Sequence, residues 1–228
     1  MWVVATRQTG GRGRQGRVWS SPPGNLYASL ALRLSIEPAV APQLGFVAGV
    51  ALAGVLRDRL AGDGRLRIKW PNDMIFDGAK LAGLLLECTS LPDGQLGCVV
   101  GFGVNCRSHP EGLPYPAIDL AAAGDPAPDP KEILSALAEA MARQLAIWDK
   151  GLEFNAIRSA WLSLAIDLQT RLGVTLAERR LSGTFQGLDP TGRLLLDTDG
   201  GRLAIDAGDV FLPDMVGIFD KNQSAAKR

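Results

Sequence analysis

The hydrophobic positions begin in strand rhythm. Trp2–Arg7 (WVVATR) is short and rich in β-branched residues, which predicts a strand. Leu26–Ile36 alternates and predicts a longer one. Between them, Gln8 to Pro23 is broken by Gly10, Gly11, Gly13, Gly16 and Pro22, so it reads as loop. From Pro38 to Leu60 the period becomes helical, with Leu44, Val47, Val50, Ala51, Val55 and Leu56 near one face. Gly45, Gly49 and Gly54 weaken that helix unless they allow close packing. Leu66–Trp70, Met74–Phe76, Lys80–Cys88 and Gly97–Val104 then read as strands, with Asp77-Gly78 and Asp93-Gly94 as hairpin turns. Residues 106–129 are rich in Pro and Gly and predict a mobile loop. Asp129 is a good N-cap, Pro130 suits the first helical position, and Glu132 completes a capping-box pattern. The helix they start carries Ile133, Leu134, Leu137, Met141, Leu145 and Trp148 as a stripe and ends at Gly151. Phe154–Leu164 predicts a second helix. After Asp167 come strands only: Thr170–Ala177, Leu181–Leu188, Arg193–Thr198 and Arg202–Ile205, a β module of about 45 residues, barrel-like by strand count.

Composition narrows the class. The chain has 228 residues, 46% of them apolar, enough for one packed domain or one plus a small appendage. The run Leu44–Leu56 is too short to cross a bilayer, and the chain opens without a basic-then-apolar leader, so neither a membrane span nor export is expected. Cys88, Cys98 and Cys106 are an odd number with no CxxC, which argues against a disulfide framework and a zinc knuckle. A single His109 excludes sites that need two histidines. Together these predict a cytoplasmic protein in a reducing compartment.

Charge sharpens the picture. The chain is formally neutral, with 24 basic and 24 acidic residues. Yet the first acid is Glu37, and Arg7, Arg12, Arg14, Arg17 and Arg33 precede it. Charge concentrated in one loop suits a compact anion; a nucleic-acid binder is more often basic across a face. In Gln8-Thr9-Gly10-Gly11-Arg12-Gly13-Arg14-Gln15-Gly16-Arg17, glycines let backbone N–H groups approach a ligand, and the arginines match carboxylate and phosphate oxygens. The loop suits two anions at once, such as a carboxylate attacking a phosphate. An RGG-like RNA-binding segment is the competing reading. Lys69-Trp70-Pro71-Asn72-Asp73 presents polar groups at a strand end, or is an ordinary turn. Asp77-Gly78-Ala79-Lys80-Leu81-Ala82-Gly83 brings Lys80 into the next strand, where Gly83 keeps a flat surface or Lys80 is simply solvated. Gly101-Phe102-Gly103-Val104-Asn105 ends a strand with two glycines and an amide, or is a glycine-weakened strand.

In this order the four motifs resemble the biotin–protein ligases, which carry a Q-T-x-G-R-G-R-x-G-R loop, K-W-P-N-D, K-L-A-G and G-x-G-x-N. The resemblance covers residues 2 to about 212. It implies an α+β fold, with a mixed, mostly antiparallel sheet and packed helices over residues 1–167. An SH3-like β-barrel over 168–213 and a flexible tail over 214–228 would follow. It implies formation of biotinyl-5′-adenylate from biotin and ATP with Mg²⁺, then transfer of biotin to a lysine of a biotin carboxyl carrier domain. By the family pattern Lys80 contacts the biotin carboxylate and the acyl-phosphate oxygens. Arg14 closes the loop over the adenylate. Arg12 and Arg17 hold biotin and phosphate oxygens, and Gln8 and Gly83 line the biotin site. Gly11 and Gly13 let the backbone close. Lys69, Asn72 and Asn105 are nucleotide-side contacts. Asp73 orients a metal water or the acceptor lysine, while Trp19 packs the loop. No side-chain nucleophile is needed, so His109 and Cys106 are given no role.

The pattern departs at the front. Family members carry a strand and helix before the arginine loop, with a Ser-Thr-Asn motif lining the ureido pocket, whereas Met1 stands six residues before Arg7. The resemblance therefore implies a missing N-terminal strand and helix, weakened biotin binding and a sheet edge open to homodimerisation. It implies no winged-helix DNA-binding segment, hence no DNA partner. The alternatives are a lipoate or octanoyl ligase and a non-catalytic binder of biotin or adenylate.

Overall fold

A computed structural model describes residues 1–60, 64–176 and 179–212. Eleven strands and four α-helices are described. In chain order they are β1 (Trp2–Ala5), β2 (Leu26–Leu34), α1 (Gln43–Arg59), β3 (Leu66–Lys69), β4 (Asp73–Phe76), β5 (Ala79–Ser90), β6 (Leu96–Val104), α2 (Leu120–Ala123), α3 (Pro130–Trp148), α4 (Phe154–Leu164), β7 (Arg171–Thr175), β8 (Arg180–Leu188), β9 (Leu194–Thr198), β10 (Gly201–Ile205) and β11 (Asp209–Phe211). The first six strands form one sheet in the order β1-β2-β6-β5-β4-β3, and each of its ladders is antiparallel. The expected parallel component is confined to isolated bridges, Lys80 with Ala117 and Ile68 with Ala165. β1 is an edge, and Val3 and Val4 on it are exposed.

α1 is apolar nearly all round because it is buried nearly all round. Leu44, Val47, Leu52 and Leu56 have no exposed surface, and each such side chain contributes roughly 1.5–3 kcal/mol by burial. With its preceding turn, the stretch Pro38–Arg59 is long and apolar enough to cross a membrane by composition, longer than the apolar run alone suggests. Here it is the core helix, packed against α3, α4 and the sheet. Gly49 explains one of its glycines: a Cβ there would meet the Trp161 indole at 3.2 Å. Gly45 and Gly54 face open space.

α3 begins as its sequence predicts, with the Asp129 carboxylate accepting from Lys131 N at 2.9 Å. Glu132, however, accepts from Arg59 Nη2 at 2.7 Å and so ties α3 to α1. The helix ends where Asp149, Lys150 and Gly151 turn left-handed. The segment 106–129 is more structured than a loop. Asp119 caps α2 through Ala122 N, and Asn25 Oδ1 accepts from the backbone N–H groups of Cys106, Arg107 and Ser108.

The last five strands form a second sheet, ordered β10-β9-β8-β7-β11. It is open rather than a closed barrel among the described residues: no ladder joins β10 to β11. β11 and the residue before it meet side chains of the first unit. Val210 O accepts from Lys69 Nζ at 2.8 Å, and Gly208 O from Arg14 Nη1 at 2.9 Å. A turn also locks the sheets together. Trp70 Nε1 donates to Gly192 O, and Gly192 fits under Phe46 and Phe154 with no room for a Cβ. The expected tail, residues 214–228, lies outside the described residues.

Candidate active site

The arginine loop folds back on itself as a small hairpin. Gly13 N donates to Arg17 O at 2.7 Å and Trp19 N to Gly11 O at 3.0 Å. Gln15 and Gly16 turn the tip with positive φ. Gly11 must be glycine, because a Cβ would lie 2.7 Å from both Gln8 Oε1 and Trp19 O. Gly13 has room for one, with 3.8 Å to the nearest atom, so crowding does not require its glycine.

Trp19 leaves this hairpin and lies on a flat patch of the sheet. Gly83 and Gly103 face each other across β5 and β6. A Cβ on Gly103 would come within 2.6 Å of the Trp19 ring, and one on Gly83 within 3.2 Å. The glycines are therefore a floor for an indole. Lys80 Nζ stands 5.4 Å from the centre of the Trp19 ring and 5.6 Å from that of Tyr115, within cation–π range of both.

Asp73 organises the lysines. Its Oδ1 is 2.6 Å from Lys80 Nζ and its Oδ2 is 3.0 Å from Lys69 Nζ. Burial alone would push its carboxyl up, but Lys80 and Lys69 more than offset that and hold it below the ordinary carboxylate value. Arg17 Nη2 meets Asp209 Oδ1 at 2.7 Å, with Arg14 Nη1 at 3.9 Å from the same atom. Desolvation lowers the Arg14 pKa against the pull of Asp209 and Asp73. Arg12 reaches Glu87 at 2.9 Å, and Gln8 accepts from Ser21 at 2.8 Å.

These groups line a cavity of about 580 Å³ between the arginine loop, the first sheet and β11. Arg12, Arg14, Arg17, Lys69, Lys80 and Arg180 stand there against Asp73, Glu87 and Asp209, three more cations than carboxylates. Of the predicted site residues, the structure gathers Gln8, Gly11, Arg12, Gly13, Arg14, Arg17, Lys69, Asn72, Asp73, Lys80 and Gly83 around it. Asn72 also donates its amide to Leu84 O. Asn105 stands apart. It is buried behind the cavity and braces the backbone by donating to Ile118 O at 3.0 Å and Lys80 O at 3.4 Å. Sequence reasoning missed Tyr115, Glu87, Ser21, Asp209 and Arg180. Only Tyr115 had a signal, an aromatic ring set between Pro114 and Pro116.

The comparisons with known proteins agree with this geometry. Residues 1–105 match the biotin/lipoate A/B protein ligase family, and residues 174–212 match the biotin protein ligase C terminal domain. A biotin–[acetyl-CoA-carboxylase] ligase of Paracoccus denitrificans is 38% identical over 92% of this chain and 89% of its own length. The chain belongs to the biotin protein ligase family. Within that family, the bifunctional ligase/repressor of Bacillus subtilis is 34% identical over 92% of this chain, which spans 65% of that relative. The family likeness extends to three dimensions. Biotin protein ligase from Aquifex aeolicus, solved with biotin and ATP, superposes with a TM-score of 0.76 at 30% identity, covering 92% of this chain and 87% of that one.

Proposed function

We propose that this ligase activates biotin with ATP and transfers it to a lysine of a biotin carboxyl carrier domain. One observation carries the reading: a cavity with an excess of three cations whose arginines and lysines already hold carboxylates and carbonyls. In the first step a biotin carboxylate oxygen attacks the α-phosphorus of ATP, and pyrophosphate leaves. In the second, the acceptor lysine amine attacks the acyl carbon, AMP leaves, and the amine loses a proton. Negative charge gathers around the phosphorus in the first step, and preorganised cations stabilise it without reorganising water.

Lys80 is the residue best set for the reacting carboxylate. Asp73 keeps its ammonium aimed, and the Trp19 and Tyr115 rings flank it. Arg14, Arg17 and Lys69 are the phosphate-side groups, able to exchange Gly208 O, Asp209 and Val210 O for phosphate oxygens. Gln8, Gly11, Arg12, Gly13 and Gly83 take the biotin side. Asn72 sits on the nucleotide side, and Asn105 acts through the backbone it braces. Both Asp73 oxygens are engaged by ammonium groups, and no cluster of three acidic, His or Cys side chains is found among the described residues. Mg²⁺ therefore fits as a companion of the ATP phosphates, its usual mode of binding, and not as an ion caged by protein. We further assign the catalytic unit to residues 1–167, the β module to 168–213, the reaction to the cytoplasm, and self-association to the β1 edge.

Pyrophosphate exchange into ATP is the test. Exchange should depend on biotin and be absent with lipoate. Exchange with lipoate and none with biotin would move the chain to the lipoate branch, and none with either would leave a non-catalytic binder.

A further inference from the structure

β5 and β6 pair with Gly83 opposite Gly103 and, nearer their hairpin, with Cys88 opposite Cys98. The ladder's hydrogen bonds fall on odd-numbered residues: Leu91 N donates to Gln95 O at 2.8 Å at one end, and Asn105 N to Leu81 O at 3.0 Å at the other. Cys88 and Cys98 are therefore a non-hydrogen-bonded pair, the position at which antiparallel strands bring facing side chains closest. Their Sγ atoms are 2.9 Å apart. Cys98 is fully buried and Cys88 is exposed. The third cysteine, Cys106, is buried with its thiol 3.5 Å from Val104 O.

We propose that Cys88 and Cys98 form a redox dithiol that closes to an intrachain disulfide when the chain meets a small-molecule disulfide. The Cys88 thiolate attacks one sulfur of the small disulfide, whose S–S bond breaks and releases one thiolate. The Cys98 thiolate then attacks the Cys88 sulfur, forms the Cys88–Cys98 bond and expels the second thiolate. The two protons lost by the cysteines end on the two small thiols. The cysteines are oxidised by two electrons and the small disulfide is reduced by two. Exposure suits Cys88 to the first step, and the 2.9 Å separation suits Cys98 to the second. Facing residues at such a site have Cα atoms about 4.5 Å apart, inside the range a disulfide spans, so the backbone need not move.

The bond would leave the active site open. Neither cysteine lines the cavity, whose walls from these strands are chiefly the odd-numbered residues Gly83, Leu85, Glu87, Val99, Gly101 and Gly103, joined by Lys80, Leu84 and Phe102. It would fix the hairpin register that sets Gly83 opposite Gly103 beneath Trp19. Burial, with the Cys98 hydrogen bond, pushes the Cys88 thiol up to about 12, so its thiolate is scarce at neutral pH and closure should be slow and quicken as pH rises.

The test incubates the full native chain with excess oxidised glutathione, alkylates free thiols after unfolding, and maps peptides without reductant. The expected product has no intermolecular disulfide, is lighter by two hydrogens, and is joined between Cys88 and Cys98, with Cys106 alkylated. Its melting temperature should rise by roughly 5 °C and return on reduction. Cys98→Ala should stop at a glutathionyl adduct on Cys88 with no such rise, and Cys88→Ala should leave Cys98 unreacted. A native chain that keeps both thiols free, links between molecules, or links through Cys106 overturns the proposal.

Discussion

Replacing Gly103 by alanine tests whether the glycine floor exists to seat Trp19. The added Cβ would lie 2.6 Å from Trp19 Cε2 and Cζ2 and 2.8 Å from Nε1. Carbon atoms in contact prefer about 3.5–4.0 Å, so the indole must retreat by about 1 Å. It cannot do so freely, since its backbone N–H is bonded to Gly11 O and its carbonyl accepts from Ser21. Overpacking of this kind costs about 1–3 kcal/mol, against roughly 0.5–1 kcal/mol regained when alanine replaces glycine in a strand. The net loss is about 1–2 kcal/mol, which lowers the melting temperature by roughly 2–8 °C. Gly101→Ala is the control: its Cβ would meet Leu85 O at 3.6 Å, an ordinary contact, so it should melt at or slightly above the wild type. Gly83→Ala falls between, at 3.2 Å from the indole and 3.3 Å from Lys80 Cε. Biotin-dependent pyrophosphate release should show KM for biotin raised about tenfold in Gly103→Ala, the equivalent of about 1.4 kcal/mol of lost binding. A Gly103→Ala enzyme that melts with Gly101→Ala and keeps its KM would refute this account of Trp19.

Lys80→Ala should abolish biotinyl-adenylate formation while leaving a folded chain, judged by product mass and circular dichroism. Asp73→Asn strands two ammonium groups in a buried spot and should cost about 3 kcal/mol in urea unfolding, with kcat falling more than KM; a neutral result would mean the lysines find other partners. Asp209→Ala releases Arg17 and loosens Arg14, so KM for ATP should rise several-fold with little change in melting, because Arg17, the long partner of the pair, is more than half exposed. Asp189 is held at about 2: burial raises its pKa, but Arg193 and Thr191 bonds more than offset that. Its contribution is present above the unfolded value near 3.9 and is lost as pH falls through about 2. Acid titration of Asp189→Asn should therefore lack part of the wild-type loss of stability over that window.

Much of this site was legible because its chemistry is written in local spacing. The arginine loop, Lys69 to Asp73 and Lys80 declare themselves by residue type next to turn signals, and all of them line the cavity. β11 did not, because a three-residue strand, Asp-Val-Phe, has no period to read. Asp209 was hidden with it. The cysteine pair was hidden by a single residue of loop length. A two-residue turn at Asp93-Gly94 would have set Cys88 opposite Val99. The hairpin instead closes over Pro92, Asp93 and Gly94, with Gly94 left-handed at φ +80, and the shift of one residue brings the two sulfurs together. Asn105 was legible as a motif but not as a brace, since that depends on where the chain around Ile118 returns.

The charge asymmetry of the sequence acquires part of its meaning from the second sheet. Three of the five arginines before the first acid, Arg12, Arg14 and Arg17, crowd one loop that in isolation would repel itself and any neighbouring lysine. In the fold Arg12 is met by Glu87 of β5, Arg14 by the Gly208 carbonyl and Arg17 by Asp209, all far away in sequence, while Lys69 and Lys80 share the nearby Asp73. These partners are oxygen acceptors, as are the carboxylate of biotin and the phosphates of ATP. The site thus holds its cations against oxygen acceptors, which on the proposed reading a carboxylate and a phosphate would replace, and β11 with Gly208 supplies acceptors on the far wall. On that argument the C-terminal sheet is part of the active site and not an appendage to it, because removing β11 would leave Arg14, Arg17 and Lys69 with one fewer fixed partner each.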